Sequence, residues 1–149
     1  MSAPSAVRST PRSGADRGLA AAIGALALVG IAIAGYLTYV HYAGVDPICT
    51  GGGGGCHAVQ SSSYAELAGI PVAVLGLAGY VAILASLRVP GERGALVTAL
   101  LALVGFGFSL YLTWLELFEI DAICQWCVGS AVVMTLLAAL GVTRLLRLE

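Results

Sequence analysis

Four cysteines fall into two pairs whose spacings suit different tasks. Cys49 and Cys56 flank Thr50 and a run of five glycines, Gly51 to Gly55, while Cys124-Gln125-Trp126-Cys127 opens the last apolar stretch of the chain. Two thiols at C-x-x-C spacing close into a small ring that can be oxidised and reduced repeatedly, because exchange needs only direct attack of one sulfur on another. In the first turn of a helix such a pair meets the positive end of the helix dipole and unpaired backbone N–H groups, both of which favour thiolate. Asp121, three residues before Cys124, is the expected N-cap of that helix. A purely structural disulfide there would close too short a loop to add much stability. Polyglycine has almost no preferred backbone conformation, so the Cys49/Cys56 loop is expected to swing between an external protein and a buried disulfide. A low-complexity loop holding a static disulfide is the alternative. Together the pairs suit a relay between thiols and an electron acceptor dissolved in a membrane.

The elements that position these cysteines follow from composition. With 59% hydrophobic and 10% charged residues and a mean hydropathy of +0.95, the chain is expected to be an all-α integral membrane protein. Its 149 residues accommodate about four spans of roughly 20 residues, with no room for a second folded domain. Hydropathy places these spans at about 19–42, 70–87, 95–118 and 124–145, with an outer loop at 43–69. All seven basic residues are arginines: Arg8, Arg12 and Arg17 precede span one, Arg88 and Arg93 separate spans two and three, and Arg144 and Arg147 end span four. The positive-inside rule then puts both termini in the cytoplasm and all four cysteines on the extracytoplasmic side of a cell (inner) membrane. Nothing in this composition calls for a nucleic-acid partner. Residues 1–17 are expected to be a disordered cytoplasmic tail and 18–149 the membrane domain. A cleaved signal peptide ending near Ala32-Ile33-Ala34 is the rival reading of span one, but the apolar run continues through Val40 and is long enough to span.

A shift of 75 positions superposes Tyr36-Leu37-Thr38 on Tyr111-Leu112-Thr113 and Asp46-x-Ile48-Cys49 on Asp121-x-Ile123-Cys124, which suggests two duplicated helix-pair halves. Between the first cysteine pair and span two, Ala58 to Leu67 has helix-compatible spacing and is expected to form a short interfacial helix over the outer mouth, with Tyr64 and Leu67 toward lipid. Four sulfurs also suit zinc, and a non-catalytic zinc-thiolate or scaffold protein is the alternative function; an oxidising compartment favours disulfides over a structural metal, so no metal site is expected. His57 adjoins Cys56, and His41 reads as an interfacial anchor beside Tyr39 and Tyr42. Glu116 and Glu119 are expected to be wet at the interface, with an interior, proton-handling position the alternative for Glu116, one turn deeper.

These residues resemble the bacterial members of the vitamin K epoxide reductase family over nearly all of residues 19–145. The resemblance is carried by Tyr36-Leu37-Thr38, the Cys49/Cys56 pair, Ser61-Ser62, Tyr64-Ala65, Gly69-Ile70-Pro71, the stretch Tyr111-Leu112-Thr113-Trp114-Leu115-Glu116-Leu117-Phe118, and Ala122-Ile123-Cys124-Gln125-Trp126-Cys127 with Ser130-Ala131 behind it. It implies a four-transmembrane-helix bundle around a quinone of the menaquinone, ubiquinone or phylloquinone type. Electrons from a reduced thioredoxin-like partner would enter at Cys49, Cys56 would attack Cys124, and Cys127 would face the quinone. The implied quinone pocket is Cys127, Ser61, Tyr64, Ser130 and Ala131. Many bacterial relatives carry a fused thioredoxin-like domain after the last span; this sequence stops at Glu149, so the expected partner is a separate extracytoplasmic protein. The vertebrate enzymes have a quinone-contacting tyrosine where Ala131 stands here, and an asparagine that maps to Val72-Ala73-Val74, so epoxide reduction does not carry over. The disulfide bond formation B family does a similar task with its C-x-x-C in the first outer loop, the reverse of the order here.

Overall fold

In the computed structural model the described residues are 14–49 and 55–148. They form α1 (Gly14–Ala43), a short α2 (Gly55–Gln60), the antiparallel two-residue strands β1 (Glu66–Leu67) and β2 (Ile70–Pro71), then α3 (Val72–Ser86), α4 (Gly91–Trp114) and α5 (Gln125–Leu148). The four longer helices close a ring in which α1 packs on α3 and α5, and α4 packs on α5 and α3. Small residues allow that approach. Ala27, Ala34, Ala102 and Ala138 lie in the central core with Ile23, Tyr80, Ile83, Val133, Met134 and Leu137, and Gly30 sits so tightly against the Tyr80 ring that a β-carbon there would collide with it. The outward faces stay apolar, with Val104 73% exposed and Leu28 57% exposed. Such a surface suits lipid and not water.

Three helices are long and apolar enough to cross a membrane: Gly14–Ala43, Gly91–Glu119 and Gln125–Leu148. The second expected span is shorter than its hydropathy suggested. Residues 70 and 71 belong to β2, so α3 has 15 residues and a length of about 22 Å, below the roughly 30 Å of a bilayer core. Proline 71 lacks an N–H, and the preceding Ala68 and Gly69 have positive φ, which turns the chain into a hairpin before the helix begins.

Two other expectations are altered. Residues 14–17 are helical, not part of a disordered tail, because Asp16 complements the first turn of α1 and is buried in an ion pair with Arg144 of α5 (Nε to Oδ1, 2.7 Å). Residues 1–13 lie outside the described residues, as do Thr50 and Gly51–Gly54 of the expected swinging loop. The segment Ala58 to Leu67 is not one helix. α2 ends at Gln60, where the hydroxyls of Ser61 and Ser62 donate to the carbonyls of His57 and Val59, taking over acceptors near the helix end; a 3-10 turn (Ser63–Ala65) and β1 follow. Tyr64 and Leu67 are 40% and 50% exposed. Thr38 and Thr113 each donate to the carbonyl four residues back, Ala34 and Ser109, as Thr98, Thr135 and Thr143 also do, so the bond is ordinary helix chemistry and not a mark of duplication.

Candidate functional site

All four cysteines meet at one end of the helix ring. Cys49 leaves α1 on a segment whose Ile48 is held by its backbone from two helices: its N–H donates to the Tyr36 hydroxyl at 2.9 Å, and its carbonyl accepts from Trp126 Nε1 at 2.7 Å. The Tyr36 and Trp126 rings lie 4.8 Å apart, so α1 and α5 together place the residue before Cys49. Cys49 is disulfide-bonded to Cys56. α2 carries Cys56 inward, to 1% exposure, where it packs with Val59 against the fully buried Cys124.

This contact depends on Gly55, because a β-carbon at that position would run into the carbonyl oxygen of Ile123, next to Cys124. Backbone cannot yield as a side chain tip can, so α2 would have to lift. Gly55→Ala is therefore expected to slow transfer of the disulfide from one cysteine pair to the other at least tenfold, as read by mass spectrometry of alkylated thiols. An unchanged rate would show that the pairs do not depend on this approach.

Cys124 caps α5 itself. Its carbonyl accepts the N–H of Val128 at 3.0 Å, the first helical bond, and its sulfur faces the backbone N–H groups of Cys127 and Trp126. Asp121, the expected cap, is exposed with φ of 53°. The chain needs the left-handed turn at Asp121 to bring Cys124 inward, which moves the cap three residues on.

The end of α4 widens into a π-helical turn, Leu115–Glu119, closed by Ile120 N–H donating to Leu115 O at 2.8 Å. Such turns rotate side chains off the regular helical face. Here Glu116 is 5% exposed, while Glu119 remains exposed. The Glu116 carboxylate accepts the Cys124 N–H at 3.2 Å, its carbonyl accepts the Ala122 N–H at 3.1 Å, and its side chain also hydrogen-bonds the Cys127 thiol. The interior alternative for Glu116 is thus the observed one.

Beneath the cysteines lies a cavity of about 420 Å³, walled largely by apolar side chains such as Leu37, Leu75, Leu112 and Met134. Cys127, Tyr64, Ser130 and Ala131 line it. Ser61 is exposed with its hydroxyl on the His57 carbonyl; Ser62 lines the cavity. The outer cover over this space is fastened by two histidine–carboxylate contacts, His41 with Glu66 at 3.2 Å and His57 with Asp46.

Two polar residues in the wall escaped the sequence reading. Gln60 places Nε2 3.6 Å from Cys127 Sγ and 4.0 Å from Cys124 Sγ. Its signal was present, four residues after Cys56 on the same helical face. Tyr80 lies in the middle of α3 and hydrogen-bonds the Ser130 carbonyl and hydroxyl at 2.9 and 2.7 Å; nothing in an apolar stretch marks one tyrosine as inward-facing. Among the described residues, no group of three His, Cys, Asp or Glu side chains is arranged to hold a metal ion. The sequence model of the Vitamin K epoxide reductase family matches residues 21–142.

Proposed function

Because the chain belongs to the vitamin K epoxide reductase family, a family of thiol oxidoreductases, we propose that it makes disulfides by passing electrons from a reduced thioredoxin-like protein to a membrane quinone. The observation that carries this reading is the contact between two cysteine pairs in different redox states. Cys49 and Cys56 are bonded, Cys124 and Cys127 are free thiols, and the second of these thiols lines an apolar cavity.

That state is the one reached after electrons have crossed between the pairs. The partner's first thiolate attacks Cys49, which releases Cys56, and the partner's second thiolate then resolves that mixed disulfide, freeing Cys49 and leaving the partner oxidised. Cys56 attacks the Cys124 sulfur of a Cys124–Cys127 disulfide and frees Cys127. Cys49 then resolves the Cys56–Cys124 bond, restoring the first disulfide and leaving two thiols at the second pair. Burial of Cys56 and Cys124 keeps competing protein thiols, though not a small dithiol, away from this transfer. The cavity suits a quinone ring by volume and by its apolar wall with few polar groups; Cys127, Tyr64, Ser62, Gln60, Tyr80 and Ser130 would hold it. A bound quinone would accept two electrons and two protons from the dithiol.

Arginine placement supports four membrane crossings with both termini cytoplasmic and the cysteine end extracytoplasmic, α3 spanning with the help of β2 and the 88–90 turn. The thioredoxin-like partner would then act in an oxidising space. The zinc-thiolate alternative would need sulfurs that the Cys49–Cys56 bond already uses. The deciding experiment is to purify the protein in detergent, supply a reduced thioredoxin-like protein and a soluble quinone, and follow quinone reduction and bound zinc. Turnover without zinc is the expected result; stoichiometric zinc without turnover would replace this reading by the metal-binding one.

A further inference from the structure

Oxidation of two thiols releases two protons along with two electrons, and the proposed relay leaves open which group receives a proton at the cavity wall. The titratable side chains that line the cavity are His41 on α1, Tyr64 in the cover, Tyr80 on α3, Glu116 at the end of α4 and Cys127 on α5. His41 is paired with Glu66, and the Tyr80 hydroxyl is engaged with Ser130. Tyr64 is 40% exposed in the cover. Glu116 alone among them combines a buried carboxylate, contact with the Cys127 thiol, and a place on the cavity wall. The π turn that puts it there breaks the regular helical ladder, a local cost that an ordinary surface glutamate would not need.

Resting on the quinone reading above, we infer that Glu116 is a catalytic base: its carboxylate takes the proton of the Cys127 thiol and hands it into the cavity as the Cys124–Cys127 disulfide forms. The balance closes on the chain's own atoms. The S–H bonds of Cys127 and Cys124 break and the S–S bond between them forms. The quinone takes up two electrons and both protons, the Cys127 proton by way of Glu116 and the other from the Cys124 thiol. The hydrogen bond from Cys124 N–H to Glu116 Oε2 at 3.2 Å aims the carboxylate at the free thiol pair.

The test uses Glu116→Gln, whose amide oxygen still accepts from Cys124 N–H, and Glu116→Asp, which keeps a carboxylate on a shorter arm. Quinone reduction by a small dithiol is expected to fall about a hundredfold or more in Glu116→Gln and to recover in part in Glu116→Asp, with Cys124 and Cys127 still fully alkylatable. Independently of turnover, the infrared difference between oxidised and reduced quinone-free protein should contain a carboxyl band that is lost in Glu116→Gln and shifted in Glu116→Asp. Wild-type turnover with an unchanged Glu116→Gln rate, or a difference spectrum without a Glu116 band, overturns the inference and leaves the quinone reading intact. No wild-type quinone reduction overturns both.

Discussion

Cys127→Ala is expected to abolish quinone reduction from every electron donor, whereas Cys49→Ala loses it with protein thiols and keeps it with a small dithiol. The asymmetry follows from where the sulfurs sit. Cys127 lines the cavity and Cys124 is fully buried beside it, so without Cys127 no dithiol exists at the point where electrons leave. Cys49 is only partly buried and adjoins an exposed Ile48, which places it where an incoming protein thiol would attack. Losing Cys49 removes that docking point and also the sulfur that resolves the Cys56–Cys124 bond. A small dithiol supplies both sulfurs and reaches the inner pair unaided. Rates of quinone bleaching for the two variants, each with a thioredoxin-like protein and with a small dithiol, provide the check. Equal loss with both donors in Cys49→Ala would mean that Cys49 serves the inner site directly, and activity in Cys127→Ala would end the relay as drawn.

Asp16→Ala is expected to cause the largest loss of stability while sparing the chemistry. Arg144 is 1% exposed at the end of the ring opposite the cysteines, and its Nε meets Asp16 Oδ1 at 2.7 Å. Among the described residues its two other guanidinium nitrogens have no hydrogen-bond partner, and the Asp16 carboxylate compensates this buried cation. Removing one member of such a pair typically costs about 3–5 kcal/mol, because the remaining charge stays buried and uncompensated. For a chain of this size that is on the order of a 10 °C fall in the thermal midpoint. Asp16→Leu combined with Arg144→Met should regain most of the loss, since replacing both partners by apolar groups removes the stranded charge. Thermal unfolding in detergent followed by tryptophan fluorescence measures all three. A midpoint for Asp16→Ala equal to wild type would show that the pair contributes nothing.

Much of the molecule is written in local pattern. Apolar runs of helical length, seven arginines confined to alternate connections, and cysteines at C-x-x-C and looser spacing depend on nothing but neighbours in the chain, and they yield a helical membrane protein with two thiol pairs at one end. Where local pattern failed, a non-local contact had intervened. The expected tail beginning at residue 1 gives way at Gly14 because Asp16 finds Arg144, 128 positions away. The cap moved from Asp121 to Cys124 because a left-handed turn and the Glu116 carboxylate draw that loop into the ring. Second-span hydropathy counted Ile70 and Pro71, which pair with β1.

The candidate site divides along the same line. The candidate residues for redox chemistry could be read from the cysteines alone, since thiol chemistry belongs to the residue and its spacing. That Cys56 meets Cys124, that Gln60 and Glu116 flank the inner sulfurs, and that Tyr80 closes on Ser130 could not. Those contacts join segments tens of residues apart on different helices. They depend on how far each helix is rotated and how closely it approaches its neighbours, and in an apolar chain nearly every face looks alike until packing at glycine and alanine chooses one. By itself the sequence determined the membrane class, the helical elements and the chemistry of the thiols; the tertiary structure alone decided their order of contact and the acid beside them, because side-chain convergence is set by packing between helices and not by pattern along one.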